Sequence, residues 1–217
     1  MKLYVIRHGQ TDWNVKEKCQ GRTDIELNNT GIKQAQNAKE QLKKYKIDLI
    51  ICSPLKRTRK TAEIINETIN SEIIIDERII ERGYGNLEGK TDEEWKEIVG
   101  DNVSIVNYYN LNWNKQNIEP IQDICKRVWE VLDEIKEKYN DKNVLLVTHG
   151  GTCRAINAYF NGIGEDGHVQ SAKIKKSVDA RKKDDVHYSY SIDLKLKNEN
   201  INRNKKSRKN RRSKTSL

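Results

Sequence analysis

The sequence predicts an α/β fold, a three-layer sandwich with a largely parallel central sheet flanked by helices. Two observations carry this. Short apolar runs alternate with segments of helical periodicity up to residue 162, the order that builds parallel strands joined by crossover helices. A length of 217 residues gives room for one such domain and an extension, and not for two full domains.

Leu3 to Ile6 reads as the first strand. Thr30 is the expected N-cap of a helix through Tyr45, with Ile32, Ala35, Ala38 and Leu42 on one face. Leu49 to Cys52 forms the second strand, and Ser53-Pro54 opens a helix carrying Ala62, Ile65 and Ile69. Ile73 to Ile75 is a third, short strand. Glu93 to Val99 starts a helix, and the Asn- and Tyr-rich stretch after it, up to Glu119, reads as a substrate-covering insertion. From Pro120 a long helix sets Ile121, Ile124, Val128, Val131, Leu132 and Ile135 at steps of three and four. Val144 to Val147 is an apolar strand running directly into Thr148-His149-Gly150-Gly151. Val186, Tyr188, Tyr190, Ile192, Leu194 and Leu196 alternate with polar residues, the period of a strand added at a sheet edge.

Charge divides the chain. Residues 1–167 hold 25 Lys/Arg against 27 Asp/Glu, whereas residues 168–217 hold 16 against 5. The overall net charge of +9 therefore describes a basic tail on a nearly neutral body, and is no sign that the body binds nucleic acid. The expected organisation is a domain over 1–167, an extension with an edge strand over 168–196, and a disordered basic tail over 197–217. The tail has almost no apolar content with which to offset its ordering entropy. Contact with RNA or an anionic surface is one reading of it, and a solvated tail is the favoured one.

No run approaches the roughly 18 apolar residues of a membrane span, and Met1 to Ile6 does not resemble a signal peptide. A soluble, cytoplasmic protein is expected, with no membrane partner. Cys19, Cys52, Cys125 and Cys153 are widely spaced and form no CxxC pair, so reduced thiols are expected, with Cys52 and Cys125 as small core residues.

Two features stand out chemically: Arg7-His8-Gly9 at the end of the first strand and His149-Gly150 at the end of the apolar strand. In a parallel sheet both reach the carboxyl edge, where ligands bind. Arg57, just after Ser53-Pro54, and Glu81, in Glu81-Arg82-Gly83-Tyr84-Gly85, follow other elements. Converging, these groups form a pocket of two guanidiniums, two imidazoles and a carboxylate, which suits a phosphoryl group. By spacing alone, Arg57 reads equally well as a surface cation and Glu81 as a solvated loop charge.

Arg7-His8-Gly9-Gln10-Thr11-Asp12-Trp13-Asn14, then Gln20-Gly21-Arg22-Thr23-Asp24 and Asn29-Thr30-Gly31, resembles the opening of the histidine phosphatase superfamily, the phosphoglycerate mutase-like family. Ser53-Pro54-Leu55-Lys56-Arg57-Thr58, the Glu81 to Gly85 run with Leu87-Glu88-Gly89, and Thr148-His149-Gly150-Gly151 follow in that family's order over about residues 1 to 162. The resemblance implies that His8 is the nucleophile forming a phosphohistidine, that Arg7, Arg57 and His149 hold phosphoryl oxygens, and that Glu81 is the general acid. Asn14, Gln20, Gly21 and the Gly150 backbone are similar to secondary contacts, and Arg82 and Tyr84 join them as candidate substrate contacts. Attack by a neutral His8 requires its other ring nitrogen to donate, with the Gly9 carbonyl as the expected acceptor. No metal and no other cofactor are implied, because two arginines and His149 supply the charge that Mg²⁺ supplies elsewhere. The chain departs from the family at its C-terminus, where residues 164–217 are unusually basic.

Within the family, mutases need extra cations in the insertion to grip a second anionic group. Residues 91–118 contain Lys96 and Lys115 but no arginine, which favours a phosphatase acting on a small phosphorylated metabolite over a cofactor-dependent phosphoglycerate mutase. Tyr84, Trp95, Tyr108, Tyr109 and Trp113 are candidates for a selective wall, each more commonly a packing residue than a contact. A non-enzymatic RNA-binding protein using the tail is the alternative from another class. Catalytically dead family members would be expected to lose His8 or Glu81, and both are present.

Overall fold

In a computed structural model of the chain, residues 1–99, 116–162 and 189–193 are described. Expectations for Tyr108, Tyr109, Trp113 and Lys115, for most of the extension and for the tail lie outside the described residues. Strands β1 (Lys2–Arg7), β2 (Leu49–Cys52), β3 (Glu72–Ile75), β4 (Val144–Thr148) and β5 (Ser189–Asp193) form one sheet in the order β3-β2-β4-β1-β5. β1, β2, β3 and β4 run parallel, and β5 lies antiparallel to β1 at the edge. The central strands read Leu-Ile-Ile-Cys and Val-Leu-Leu-Val-Thr, buried at every position. Such unbroken apolar runs suit strands covered on both faces.

Alternation along the strands sorts the core into two layers. Leu3, Val5, Leu49, Ile51, Val144 and Leu146 pack with buried residues of α5 (Ile121–Lys138) and α6 (Gly150–Asn161). Tyr4, Ile6, Ile50, Cys52, Leu145 and Val147 face the other way, toward Ala38 and Leu42 of α2 (Asn29–Leu42) and Ala62 and Ile65 of α3 (Lys56–Ile69). Burying one such Leu, Ile or Val fully contributes about 1.5–3 kcal/mol. The three-layer α/β architecture is therefore the one expected. Among the described residues there are also two short helices, the single turn α1 (Asp12–Val15) and α4 (Asp92–Val99).

Helix boundaries differ from expectation at α2. Its N-cap is Asn28, whose Oδ1 accepts from the Gly31 amide at 2.8 Å, so Thr30 lies inside the first turn. Gln10 decides this: its carbonyl accepts from the Asn28 amide at 3.0 Å and its Oε1 accepts from Asn28 Nδ2 at 3.0 Å. A Cβ on either Gly9 or Gly31 would run into the other segment's backbone, so two glycines allow the loop after β1 to lie on the start of α2. The helix ends at Leu42, short of Tyr45, which packs on the Tyr4 ring instead. α3 starts at Lys56 with Leu55 as N-cap, and α5 follows Pro120. Among the described residues no helix is long and apolar enough to cross a membrane.

Candidate active site

Sheet register assembles the site. Arg7 pairs with Thr148 across β1 and β4, so the next residues, His8 and His149, leave the carboxyl edge side by side. The His8 amide donates to the Thr148 carbonyl at 3.0 Å, and the two imidazole centroids are 5.2 Å apart. On the other flank of β4 the Ser53 amide donates to the Val147 carbonyl at 3.1 Å. Three strand ends therefore deliver His8, His149 and Ser53 to one point.

His8 is 4% exposed, and its Nδ1 lies 2.7 Å from the Gly9 carbonyl oxygen. A carbonyl only accepts, so Nδ1 carries the proton and Nε2 keeps its lone pair in the neutral ring. Arg57 Nε donates to that Nε2 at 3.2 Å. Arg57 is fully buried, and its terminal nitrogens donate to the Thr23 carbonyl at 2.8 Å and the Gly21 carbonyl at 2.7 Å. Burial pushes the Arg57 pKa down to about 10 while Glu81 opposes and Arg7 adds to the shift, which leaves the group charged at neutral pH.

His149 is fully buried and caps α6, with its Nε2 2.6 Å from Ser53 Oγ. Burial holds its pKa well below the ordinary histidine range, and the charges of Arg57, His8 and Arg7 push the same way. His149 Nδ1 and Arg7 Nε are buried polar atoms without a hydrogen-bond partner, as is Gln20 Oε1. Arg7 Nε is a donor that an anion with several oxygens would satisfy, as is His149 Nδ1 in the tautomer whose Nε2 accepts from Ser53 Oγ, whereas Gln20 Oε1 is an acceptor. Gly150, at the start of α6, lies against the Arg7 guanidinium.

Glu81 is 8% exposed, and each carboxylate oxygen accepts one backbone amide, Arg82 N at 2.8 Å and Gly151 N at 3.2 Å. A Cβ on Gly151 would stand 2.5 Å from Glu81 Oε1, so glycine is what allows the carboxylate to approach α6. The residue's backbone is equally confined: Thr148 Oγ1 donates to the Ile79 carbonyl at 2.8 Å and Thr152 Oγ1 to the Ile80 carbonyl at 3.0 Å. Glu88 ties this turn to the 20–23 loop by accepting from the amides of Arg22, Thr23 and Tyr84 and from Thr23 Oγ1.

The structure thus brings Arg7, His8, Arg57, Glu81, His149 and Gly150 together, and the Gly21 carbonyl joins through Arg57. Asn14 sits in the cap of α1, where its Oδ1 accepts from the Thr11 amide at 3.0 Å. Two residues expected among the substrate contacts, Tyr84 and Arg82, lie in the buried surroundings of the site. Tyr84 is buried with Leu87, Trp95 and Ile118, and Arg82 is fully buried with its Nε on the Glu119 carbonyl at 2.7 Å. Trp95 belongs to the same apolar cluster and donates its Nε1 to the Leu87 carbonyl. The sequence marks Ser53 as a helix opener and as part of the Ser53 to Thr58 motif but gives it no site role, and Arg127 has no signal beyond flanking the apolar stripe of α5.

Cys52 and Cys153, raised to about 12, and Cys125, raised to about 11, are held as neutral thiols by burial. Among the described residues no group of three or more His, Cys, Asp or Glu is arranged to hold a metal ion.

Residues 3–175 match the profile of the histidine phosphatase superfamily (branch 1). The chain belongs to that superfamily. PhoE of Bacillus subtilis (strain 168), described as an uncharacterized phosphatase, is 37% identical over 170 residues, covering 78% of this chain and 81% of its own. Phosphoglycerate mutase-like protein 4 of Arabidopsis thaliana is 32% identical over 163 residues, covering 71% of this chain and 69% of its own. The mycobacterial glucosyl-3-phosphoglycerate phosphatase solved with VO3 superposes with a TM-score of 0.68 at 29% identity, over 73% of this chain and 79% of that one.

Proposed function

We propose that this histidine phosphatase is a metal-independent phosphomonoesterase acting on a small phosphorylated metabolite through a phosphohistidine at His8. One observation carries the reading. With Nδ1–H bound to the Gly9 carbonyl, His8 Nε2 presents a lone pair beside the Arg57 guanidinium. In the first step that lone pair forms the N–P bond as the P–O bond to the leaving alcohol breaks, and Glu81, protonated, gives its proton to the departing oxygen. Arg7, Arg57 and His149 hold the equatorial oxygens, where negative charge is spread. The Gly9 carbonyl accepts from Nδ1–H throughout and so stabilises the positive charge that the phosphorylated ring acquires. In the second step Glu81, now a carboxylate, takes a proton from water as its oxygen attacks phosphorus. The N–P electron pair returns to His8, and inorganic phosphate leaves.

Transfer to water rather than to a bound phosphoglycerate is supported by where the nearby cations are committed. Arg22 bonds the Glu81 carbonyl and pairs with Glu119, and Arg82 bonds the Glu119 carbonyl. With them so engaged, the cations between residues 91 and 118 are Lys96 and Lys115. Retention of an intermediate while it reorients needs a firmer carboxylate clamp than two lysines. The test supplies 3-phosphoglycerate with catalytic 2,3-bisphosphoglycerate, with and without chelator. Phosphate release exceeding 2-phosphoglycerate formation, unchanged by chelation, is expected. Dominant mutase turnover, or strict dependence on Mg²⁺, would overturn the reading.

A further inference from the structure

We propose that Arg127 of α5 is a positioning residue for Glu81, holding the turn that carries the acid so that its carboxylate keeps its line to the leaving-group oxygen. This rests on the acid role proposed for Glu81. A guanidinium has five N–H donors in a fixed plane, and in Arg127 every one is used. Nη1 donates to the Arg78 carbonyl at 2.6 Å and the Ile80 carbonyl at 2.7 Å. Nη2 donates to the Glu81 carbonyl at 3.2 Å and to Glu119 Oε2 at 3.0 Å, while Nε donates to Glu119 Oε1 at 2.8 Å.

The three carbonyls run from Arg78, within the 3-10 turn Glu77–Ile79, through Ile80 to Glu81 itself. No regular ladder fixes that backbone, and buried carbonyls without donors are costly. One planar fork joins all three at once, alongside Thr152 Oγ1 on the Ile80 carbonyl and Arg22 Nε on the Glu81 carbonyl, and a lysine with a single nitrogen cannot reproduce that fork. Glu119 extends the same bracket to the far side of the acid. Its carboxylate accepts the Gly83 amide at 3.1 Å, and its own amide donates to the Gly83 carbonyl at 2.9 Å. Burial works against the Glu119 charge, yet the bond to Arg127 and its charge outweigh this and hold the carboxyl below its ordinary range. Glu81 is therefore gripped at both ends, its carboxylate by the amides of Arg82 and Gly151 and its carbonyl by Arg127 together with Arg22. Displacing a catalytic group by about 1 Å costs on the order of 10²-fold in rate.

A residue that only stabilises the fold would slow all substrates alike, whereas one that aims an acid matters most when the leaving group needs a proton. The test compares wild type with Glu81→Gln, Arg127→Met, Arg127→Lys and the double variant Glu81→Gln/Arg127→Met, using p-nitrophenyl phosphate and an alkyl phosphate, with thermal melts alongside. Arg127→Met is expected to lose about 10- to 100-fold on the alkyl ester and markedly less on the nitrophenyl ester, with little recovery in Arg127→Lys. The double variant is expected to be about as slow as Glu81→Gln alone. Equal losses on both esters, or losses that multiply in the double variant, would overturn the proposal. If Arg127→Met does not fold, Glu119→Gln is read instead: a smaller loss with the same ester dependence supports the proposal, and an ester-independent loss overturns it. A Glu81→Gln penalty that is itself equal on both esters removes the acid role, and that arm alone identifies this failure.

Discussion

Arg57 Nε donates to His8 Nε2 at 3.2 Å, so the guanidinium expected to bind the phosphoryl group rests on the lone pair of the nitrogen expected to attack it. In the proposed reaction an arriving phosphoryl group takes that lone pair and offers oxygen acceptors in its place. Arg57 exchanges one partner for another without moving its anchors on Gly21 and Thr23. In the proposed reaction the cation is aimed beforehand by the nitrogen that attacks.

Arg57→Ala should therefore lower kcat/KM by about 10²- to 10³-fold, the scale for removing one donor from a preorganised anion site. Arg57→Lys should recover little, because one ammonium cannot serve His8 and two loop carbonyls together. Steady-state kinetics on any accepted phosphomonoester checks this. Near-complete rescue by lysine would mean that charge alone is used.

Neutral His149 has a signature in stability. Burial, with Arg57, His8 and Arg7 beside it, depresses its folded-state pKa well below the ordinary value. Below about pH 6.5 the unfolded chain takes up a proton that the folded chain refuses, so stability is lost as pH falls from there toward the folded value. Urea unfolding between pH 7.5 and 5 should give a steeper decline for wild type than for His149→Asn. Parallel curves would contradict the buried neutral state.

Gly151→Ala tests the close approach of Glu81 to α6. Alanine for glycine inside a helix stabilises by about 0.4–1 kcal/mol where the backbone allows it. Here the new methyl would meet Glu81 Oε1 at 2.5 Å and push the carboxylate away. The displaced carboxylate gives up amide bonds that outweigh the helical gain, so a lower Tm is expected together with activity reduced about 10- to 100-fold, most strongly on esters with poor leaving groups. Retained activity would show that the Glu81 position tolerates displacement.

What the sequence made legible follows from what is local or periodic. His8 and His149 could be read because each ends an apolar strand, and parallel register alone brings strand ends together. Arg57 and Glu81 needed the family pattern, since their spacing fits a surface charge equally well. Asn28 and Thr30 are both capping residue types, and the choice between them lies with Gln10, 18 positions earlier. Ser53 meets His149 across 96 residues, and Arg127 reaches carbonyls 46 to 49 residues before it. Such pairings have no local pattern: a serine before a proline reads as a helix opener, and an arginine beside an apolar stripe reads as a solvated flank.

The most direct test is rapid quench of the enzyme with a ³²P-labelled phosphomonoester, followed by peptide mapping of the trapped label. The expected result is an acid-labile, base-stable phosphoenzyme on the His8 peptide, absent in His8→Ala and accumulating when Glu81→Gln slows its hydrolysis. Label on Ser53, Cys153 or Glu81, or turnover that persists in His8→Ala, would contradict a reaction routed through His8.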